Sequence, residues 1–211
     1  MSNSVQAVVF DIGNVLIKWQ PERFYDRTIG SDARKRLFAA VDLHTMNEEI
    51  DRGQDFYQTI HQTSLEHPDF ADAIMMWHHR WNDIAAPVIE SSFALAMALK
   101  SRGHAIFILS NIGQKPFDLA MRRNPRLAAF DRIFISGALG VVKPDPEIYQ
   151  KVEDDSDIPP AGLLFTDDRA ENLMVAAARG WQTHLFQSAD TFARALVKRG
   201  LLSDAKTEIT C

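Results

Sequence analysis

The sequence predicts a three-layer α/β fold, in which helices cover both faces of a mainly parallel sheet. Short β-branched or apolar runs, each bounded by polar or turn residues, predict five buried strands at residues 5–10, 105–109, 132–135, 162–165 and 182–186. Helical patterns separate most of these runs, and this alternation indicates a parallel sheet that is buried on both sides.

Recognisable ends support the helices between the strands. A broad apolar face predicts a helix over residues 88–102 that ends at Gly103, a residue that readily adopts the left-handed turn after a helix. Residues 145–147, Asp-Pro-Glu, have the order of an N-cap, a first-turn proline and a first-turn acid, and they predict a helix to about residue 154. A third helix over residues 170–179 ends at Gly180 in the same way.

Residues 18–87 differ from the rest of the chain. They show no convincing strand but three helical stretches, at residues 32–43, 54–66 and 69–84. We therefore expect a core domain made of residues 1–17 and 88–211, and a smaller helical unit of residues 18–87 inserted after the first strand.

Composition excludes several classes of protein. Hydrophobic residues form 46% and charged residues 24% of the chain, which is typical of a soluble globular protein. The net charge of −5 and the lack of a basic run argue against a nucleic-acid partner. The only cysteine, Cys211, leaves no intramolecular disulfide and suits a reducing cytoplasm. With no signal-peptide pattern and no apolar run long enough for a membrane span, we expect a cytoplasmic monomer or homodimer without a membrane partner.

Polar residues that could take part in catalysis or bind a metal follow four of the predicted strands. In parallel sheets such residues collect beyond the carboxyl ends of the strands, so we expect them on one rim. Three carboxylates there would repel one another unless a divalent cation lay among them, and hard oxygen ligands favour Mg²⁺. These residues are Asp11, Ser110-Asn111, Lys143-Pro144 and Asp167-Asp168.

Four segments in this order, VVFDIGNVL, ILSN, KP and FTDDRAEN, resemble the motifs of the haloacid dehalogenase superfamily. Each motif is weak by itself, but four in order at strand ends are specific. The resemblance implies a Rossmann-like core and, for the insertion, the helical C1 cap of subfamily IA, which closes over the rim and selects the substrate. The first motif resembles that of a bacterial sugar-phosphatase-like branch with a DxGN pattern.

The resemblance implies a magnesium-dependent phosphatase acting on a small phosphomonoester, with a sugar phosphate preferred. Asp11 would be the nucleophile that forms an aspartyl phosphate, and we expect its side chain to be ionised near neutral pH. Lys143 would neutralise charge, and Ser110 with the backbone of Asn111 would hold a phosphate oxygen. The magnesium ligands would be Asp11, the carbonyl of Gly13 and Asp168, with Asp167 acting through water. Asn172, one helical turn beyond Asp168, would support the site.

Gly13 departs from the pattern of most phosphatases of this superfamily, which carry there a second aspartate that protonates the leaving group. General acid–base catalysis is typically worth about 10²- to 10⁴-fold in rate. We expect catalysis to rely on good leaving groups or on a histidine of the insertion, His44, His78 or His79.

Two further features of the insertion carry expectations. Arg52, in a polar loop at residues 48–53, is the residue that we expect to contact the substrate. Trp77 and Trp81 lie four residues apart on one helix face, and we expect them to pack.

Two alternatives to the phosphatase remain open at this point. In a 2-haloacid dehalogenase Asp11 would attack carbon without a metal, but the paired acids and the Gly13-Asn14-Val15 run do not fit that class. A phosphate-binding or regulatory protein could have kept the site and lost turnover with the second aspartate.

Overall fold

The computed structural model describes residues 4–203 and has a five-stranded, all-parallel sheet of strand order β5-β4-β1-β6-β7. The predicted three-layer α/β fold is confirmed, and each of the five predicted strands lies within two residues of its expected ends. The strands in chain order are β1 (Ala7–Phe10), β2 (Ile17–Trp19), β3 (Ala85–Val88), β4 (Ala105–Ser110), β5 (Arg132–Ile135), β6 (Leu163–Asp167) and β7 (Gln182–Leu185).

The expectation that residues 18–87 contain no strand is wrong at both ends of that segment. Strands β2 and β3 pair antiparallel, with Ile17 opposite Val88 and Trp19 opposite Ala85. They are only three and four residues long and mostly half-buried, so they show no hydrophobic alternation in the sequence. This ribbon joins the two ends of the helical insertion and holds it above the sheet.

Six helices lie between β2 and β3, and six follow β3. The expected helix over residues 69–84 is broken, because Arg80 leaves the helical conformation and separates α5 from α6. The predicted helix at residues 88–102 begins only at Glu90, since the preceding residues form β3. Helices α1, α3, α8 and α9 were not anticipated from the sequence. The polar loop expected at residues 48–53 is wrong in its first half, because residues 48–51 form the last turn of α3. The helices are α1 (Pro21–Ile29), α2 (Ser31–Ala40), α3 (Leu43–Asp51), α4 (Phe56–Glu66), α5 (Ala71–His79), α6 (Trp81–Ile84), α7 (Glu90–Ser101), α8 (Gln114–Arg123), α9 (Ser136–Leu139), α10 (Pro146–Ser156), α11 (Ala170–Ala178) and α12 (Ala189–Lys198).

Alternate residues of β1 face the two helical layers. Val8 and Phe10 belong to a core that includes α7, α12 and the inserted helices, whereas Ala7 and Val9 belong to a second core with α10 and α11. All four side chains are fully buried. Strand β1 therefore lies at the centre of the sheet, and its packing on both faces holds the residues that follow it in place.

In the described part of the chain no helix combines the length and the apolar character that crossing a bilayer requires. The division into core and cap domains at residues 17/18 and 87/88, the cytoplasmic location and the choice between monomer and homodimer stay predictions. Cys211 lies outside the described residues.

Phe192 tests the core beneath β1. Its ring is fully buried and packs edge-on against Phe10, with 5.7 Å between the ring centroids. We expect Phe192→Ala to lower the free energy of unfolding by about 3–5 kcal/mol, because the substitution leaves a cavity under the sheet. Met174→Ala is the control, since Met174 is 71% exposed and should change stability by less than about 0.5 kcal/mol. Urea unfolding measures both, and equal losses would contradict this packing.

Candidate active site

The carboxyl ends of three neighbouring strands form the base of the site. Asp11 directly follows β1, and its backbone N–H donates to the carbonyl of Thr166 at 3.1 Å. Ser110 is the last residue of β4 and Asp167 the last residue of β6, the two strands that flank β1. All three side chains are buried. The sheet order therefore brings these predicted site residues together.

Lys143 connects the two buried acids. Its Nζ donates to Asp11 Oδ1 at 2.8 Å, to Asp167 Oδ2 at 2.7 Å and to the carbonyl of Leu109 at 2.9 Å. An ammonium has three N–H donors, so each of them has a partner. Its side chain is only 2% exposed, which makes these charge-assisted bonds an internal feature of the protein.

Asn111 positions the backbone of Lys143. The Asn111 side chain donates to the Lys143 carbonyl at 2.8 Å and accepts from the Lys143 N–H at 2.7 Å. This paired contact ties the loop after β5 to the end of β4. The sequence indicated only the backbone of Asn111 as a functional group, so this role of its side chain was missed.

Two asparagines orient the paired acids. Asn172 Nδ2 donates to both oxygens of Asp167, at 3.1 and 3.0 Å, as its helical spacing suggested for a supporting residue. Asn14 Nδ2 donates to Asp168 Oδ2 at 3.0 Å, which the sequence analysis did not foresee. Asn14 adopts a left-handed backbone conformation with φ of 53°, which asparagine tolerates better than most residues. The sequence feature that could have indicated this contact was an asparagine in the turn just after the strand that carries Asp11.

Burial and neighbouring charge shift the titration of this cluster. Burial raises the pKa of Asp11 to about 6, with Asp167 adding to the rise and Lys143 opposing it. We expected an ionised Asp11 from the pKa of an unperturbed aspartate, and that pKa is wrong for this buried side chain. The side chain is nevertheless still mainly ionised at neutral pH. Burial alone would lower the pKa of Lys143, but Asp11 and Asp167 outweigh it and raise that pKa. Burial also raises the pKa of Asp168.

The acidic residues fit a small divalent cation. Carboxylate oxygens of Asp11, Asp167 and Asp168 all lie within 4.8 Å of one another, and the structure shows no other such group among residues 4–203. Lys143 offers a single positive charge to these three carboxylates, so a bound cation would offset the negative charge that remains. Oxygen-only donors of this kind suit Mg²⁺.

A cavity of about 460 Å³ lies between this cluster and the inserted helices. Arg52 and His44 line it together with Asp11, so the structure brings the expected substrate contact to the site. His78 and His79 are not among its lining residues, so of the three histidines expected as proton donors only His44 borders the cavity. The core residues of the predicted site that line it are Asp11, Gly13, Ser110, Asn111, Lys143, Asp168 and Asn172.

Two tryptophans form part of the cavity wall on the side of the insertion. Trp81 and Trp19 line the cavity, and their ring centroids lie 4.8 Å apart. Trp77 is fully buried behind them and donates from Nε1 to Asn47 at 3.2 Å. The packing expected for Trp77 and Trp81 is present, and Trp81 also borders the cavity.

Two acidic side chains of α3 that line the cavity, Asp51 and Glu48, were missed. Asp51, the last residue of α3, is buried and lines the cavity opposite the strand ends. In the sequence it looked like one more polar residue of the loop at positions 48–53. An aspartate at the negative end of a helix is unfavourable there for stability, and that was the signal that could have marked it.

Comparisons with known proteins find related hydrolases and phosphatases. A family of haloacid dehalogenase-like hydrolases matches residues 5–180. The sesquiterpene phosphatase astK of Aspergillus oryzae is 28% identical over 85% of this chain and 89% of its own length. The D-ribitol-5-phosphate phosphatase of Bacteroides thetaiotaomicron is 20% identical over 85% of this chain and 90% of its own length.

A solved structure supports the fold. A HAD family enzyme of Bacteroides thetaiotaomicron, crystallised with magnesium and inorganic phosphate, superposes with a TM-score of 0.66 at 21% identity, covering 88% of this chain and 96% of that one. Membership of subfamily IA and the meaning of the DxGN pattern stay predictions. Because the family match spans all four motifs and the strands that carry them, the chain belongs to the haloacid dehalogenase-like hydrolases.

Proposed function

We propose that this hydrolase is a magnesium-dependent phosphatase that acts on a small phosphomonoester through an aspartyl phosphate on Asp11. One observation carries the proposal: Asp11 lines a cavity beside a buried lysine, a buried hydroxyl and two further carboxylates. Two phosphatases match 85% of this chain, whereas a 2-haloacid dehalogenase of a Pseudomonas species matches only 41% of it, and this difference supports the phosphatase class. The finer choice of a sugar phosphate as the substrate follows the resemblance of the first motif.

Each core residue receives a role that its contacts allow. The Asp11 carboxylate attacks phosphorus, and Lys143, bonded to it at 2.8 Å, offsets negative charge on the nucleophile and on the transferring group. Ser110 and the backbone N–H of Asn111 hold a phosphoryl oxygen. Arg52, on the cap side of the cavity, contacts the remainder of the substrate. Holding these groups in place before the reaction supplies the positioning on which phosphoryl transfer depends.

The magnesium site would be built from Asp11, the carbonyl of Gly13 and Asp168, with Asp167 supporting it through water. The contacts of Asp167 suit that indirect role, because its oxygens already accept from Lys143, Asn172 and the Arg169 N–H and its side chain is fully buried. When bound, the cation neutralises charge on the phosphoryl oxygens and orients the group toward the nucleophile.

The same contacts weigh against the two alternatives. A dehalogenase that attacks carbon has no need of a second and third carboxylate beside the nucleophile, and halide release that persists in EDTA would favour it. A purely phosphate-binding protein has no use for a buried lysine aimed at Asp11. It would bind magnesium and phosphate, yet release no phosphate from any ester.

Substitution of the nucleophile tests the proposed reaction. We expect wild-type protein with Mg²⁺ to release phosphate from p-nitrophenyl phosphate and from members of a panel of sugar phosphates and a sesquiterpenyl phosphate. Asp11→Asn should lower these rates by about 10³-fold or more, because an amide does not form the acyl phosphate. Asp190→Asn, an exposed aspartate on α12, is the matched control and should keep the wild-type rate. A rate unaffected by Asp11→Asn would refute the proposal.

Removal of the lysine tests the charge balance of the site. In EDTA we expect Lys143→Ala to lower the melting temperature, because losing one partner of a buried ion pair costs about 3–5 kcal/mol. Added Mg²⁺ should then raise the melting temperature of this variant more than that of wild type, since the cation replaces part of the missing charge. Lys151→Ala, which breaks an exposed pair with Glu147, should behave like wild type in both conditions. Equal magnesium shifts in all three proteins would contradict a cation beside Lys143.

A further inference from the structure

The proposed reaction lacks an assigned proton donor at position 13. Gly13 is not required by space, because a Cβ built there would lie 3.6 Å from Asp11 Oδ2 and 3.9 Å from the Trp19 Cβ, which are ordinary contacts. Nor does it adopt a positive φ, unlike six other glycines of the described chain. Neither space nor backbone conformation therefore explains why position 13 lacks a carboxyl group. The leaving group must take its proton from another residue.

Helix α3 of the insertion brings two acidic side chains to the cavity: Glu48 is exposed, whereas Asp51 is buried. Asp51 is 8% exposed and borders the same cavity as Asp11. Helix α3 approaches the core closely here: a Cβ on Gly113 would meet the Ile50 Cγ2 at 2.6 Å and the Ile50 carbonyl at 2.9 Å. Only glycine permits this approach, and the approach places Asp51 over the loop that follows β4.

Hydrogen bonds from both sides of the cavity fix the Asp51 carboxyl. Oδ1 accepts from the Gly113 N–H of the core at 3.1 Å, and Oδ2 accepts from Asn47 Nδ2 of the cap at 2.9 Å. Asn47 is itself held, since its Oδ1 accepts from the buried Trp77 Nε1 at 3.2 Å. These contacts hold the Asp51 carboxyl at the cavity that Asp11 also lines.

We propose that Asp51 is the general acid and base of the reaction, in place of the aspartate that is absent at position 13. The inference rests on the phosphatase function proposed above. In the first step Asp11 forms a bond to phosphorus, the bond from phosphorus to the ester oxygen breaks, and that oxygen takes the Asp51 proton to leave as an alcohol. In the second step a water attacks phosphorus and gives a proton to the Asp51 carboxylate. The acyl phosphate bond breaks, its electron pair returns to Asp11, and phosphate leaves.

The surroundings of Asp51 keep a proton on it near neutral pH. Burial raises its pKa to about 7; Glu48 on its own helix and Asp11 across the cavity add to the rise, while the Gly113 N–H and Lys143 oppose it. Its place at the carboxyl end of α3 also favours the neutral acid. His44 and Glu48 are the other candidate donors of the insertion that line the cavity, but both are exposed, and His44 contacts Glu22 at 3.2 Å.

Dependence on the leaving group tests Asp51. The substrates are p-nitrophenyl phosphate, phenyl phosphate and an alkyl phosphate, which need progressively more help from an acid. Relative to wild type, Asp51→Asn should lower the ratio of alkyl to p-nitrophenyl kcat/KM by about 10²- to 10⁴-fold. Asp51→Glu should recover part of that ratio. An unchanged ratio in the folded Asp51→Asn variant would overturn the assignment.

Three further variants separate Asp51 from its neighbours. Asn47→Ala removes a hydrogen bond that holds the Asp51 carboxyl, so it should lower the ratio in the same direction as Asp51→Asn but by less. His44→Gln and Glu48→Gln remove the other candidate donors of the insertion and should keep the wild-type ratio to within about tenfold. Loss of the ratio in one of these two variants but not in Asp51→Asn would assign the role to that residue and overturn the proposal for Asp51.

If Asp51→Asn does not fold, the pH profile of the wild-type protein tests the proposal instead. For the alkyl phosphate, kcat/KM should fall as the pH rises through about 7, because only protonated Asp51 donates. For p-nitrophenyl phosphate this fall should be absent, and its presence for both substrates would overturn the proposal. Failure of the phosphatase function itself looks different, since wild-type protein would then release no phosphate from any of the three esters.

Discussion

The buried ammonium of Lys143 is the contact on which the rest of the site depends. Two carboxylates, Asp11 and Asp167, lie at the ends of adjacent strands because β1 and β6 are paired, and they would repel each other in this dry environment without a positive charge between them. The lysine also bonds to the Leu109 carbonyl, so a single group ties β4, β1 and β6 together at their carboxyl ends. Such a buried charge is tolerated only when all its donors are satisfied, and here they are.

The polar groups around this lysine form a network that fixes the geometry rather than merely filling space. Asn111 holds the backbone of Lys143, Asn172 holds Asp167, and Asn14 holds Asp168. Each amide can donate and accept at once, so it orients a carboxylate or a peptide without adding charge. Partly satisfied buried networks are costly, and this one is nearly complete, which favours a single arrangement of the reacting groups.

The inserted helices contribute a second constraint at the place where they meet the core. The end of α3 lies against Gly113, and a Cβ at Gly137 would come within 2.7 Å of the Gly113 Cα, so this contact depends on two adjacent glycines. The contact carries Asp51 and Arg52 to the cavity from a part of the chain that is distant in sequence from the other functional residues. In the reaction proposed here, substrate contact and acid–base chemistry come from the inserted helices, and the nucleophile and its charge balance come from the ends of the strands.

The sequence by itself determined the α/β class, the five strands of the sheet and the residues that follow their ends, because strand periodicity and short motifs are local. The chemistry of Asp11, Lys143 and Asp168 could be inferred from residue type and order. Only the tertiary structure decided the contact between Asn14 and Asp168, which lie 154 residues apart, and the approach of Asp51 to Gly113, 62 residues away. Neither is encoded in a local pattern, since each depends on which strands are neighbours and on how closely α3 packs. The same reason explains why β2 and β3 were missed: such short strands are defined by their partner, and their own sequence gives no sign of it.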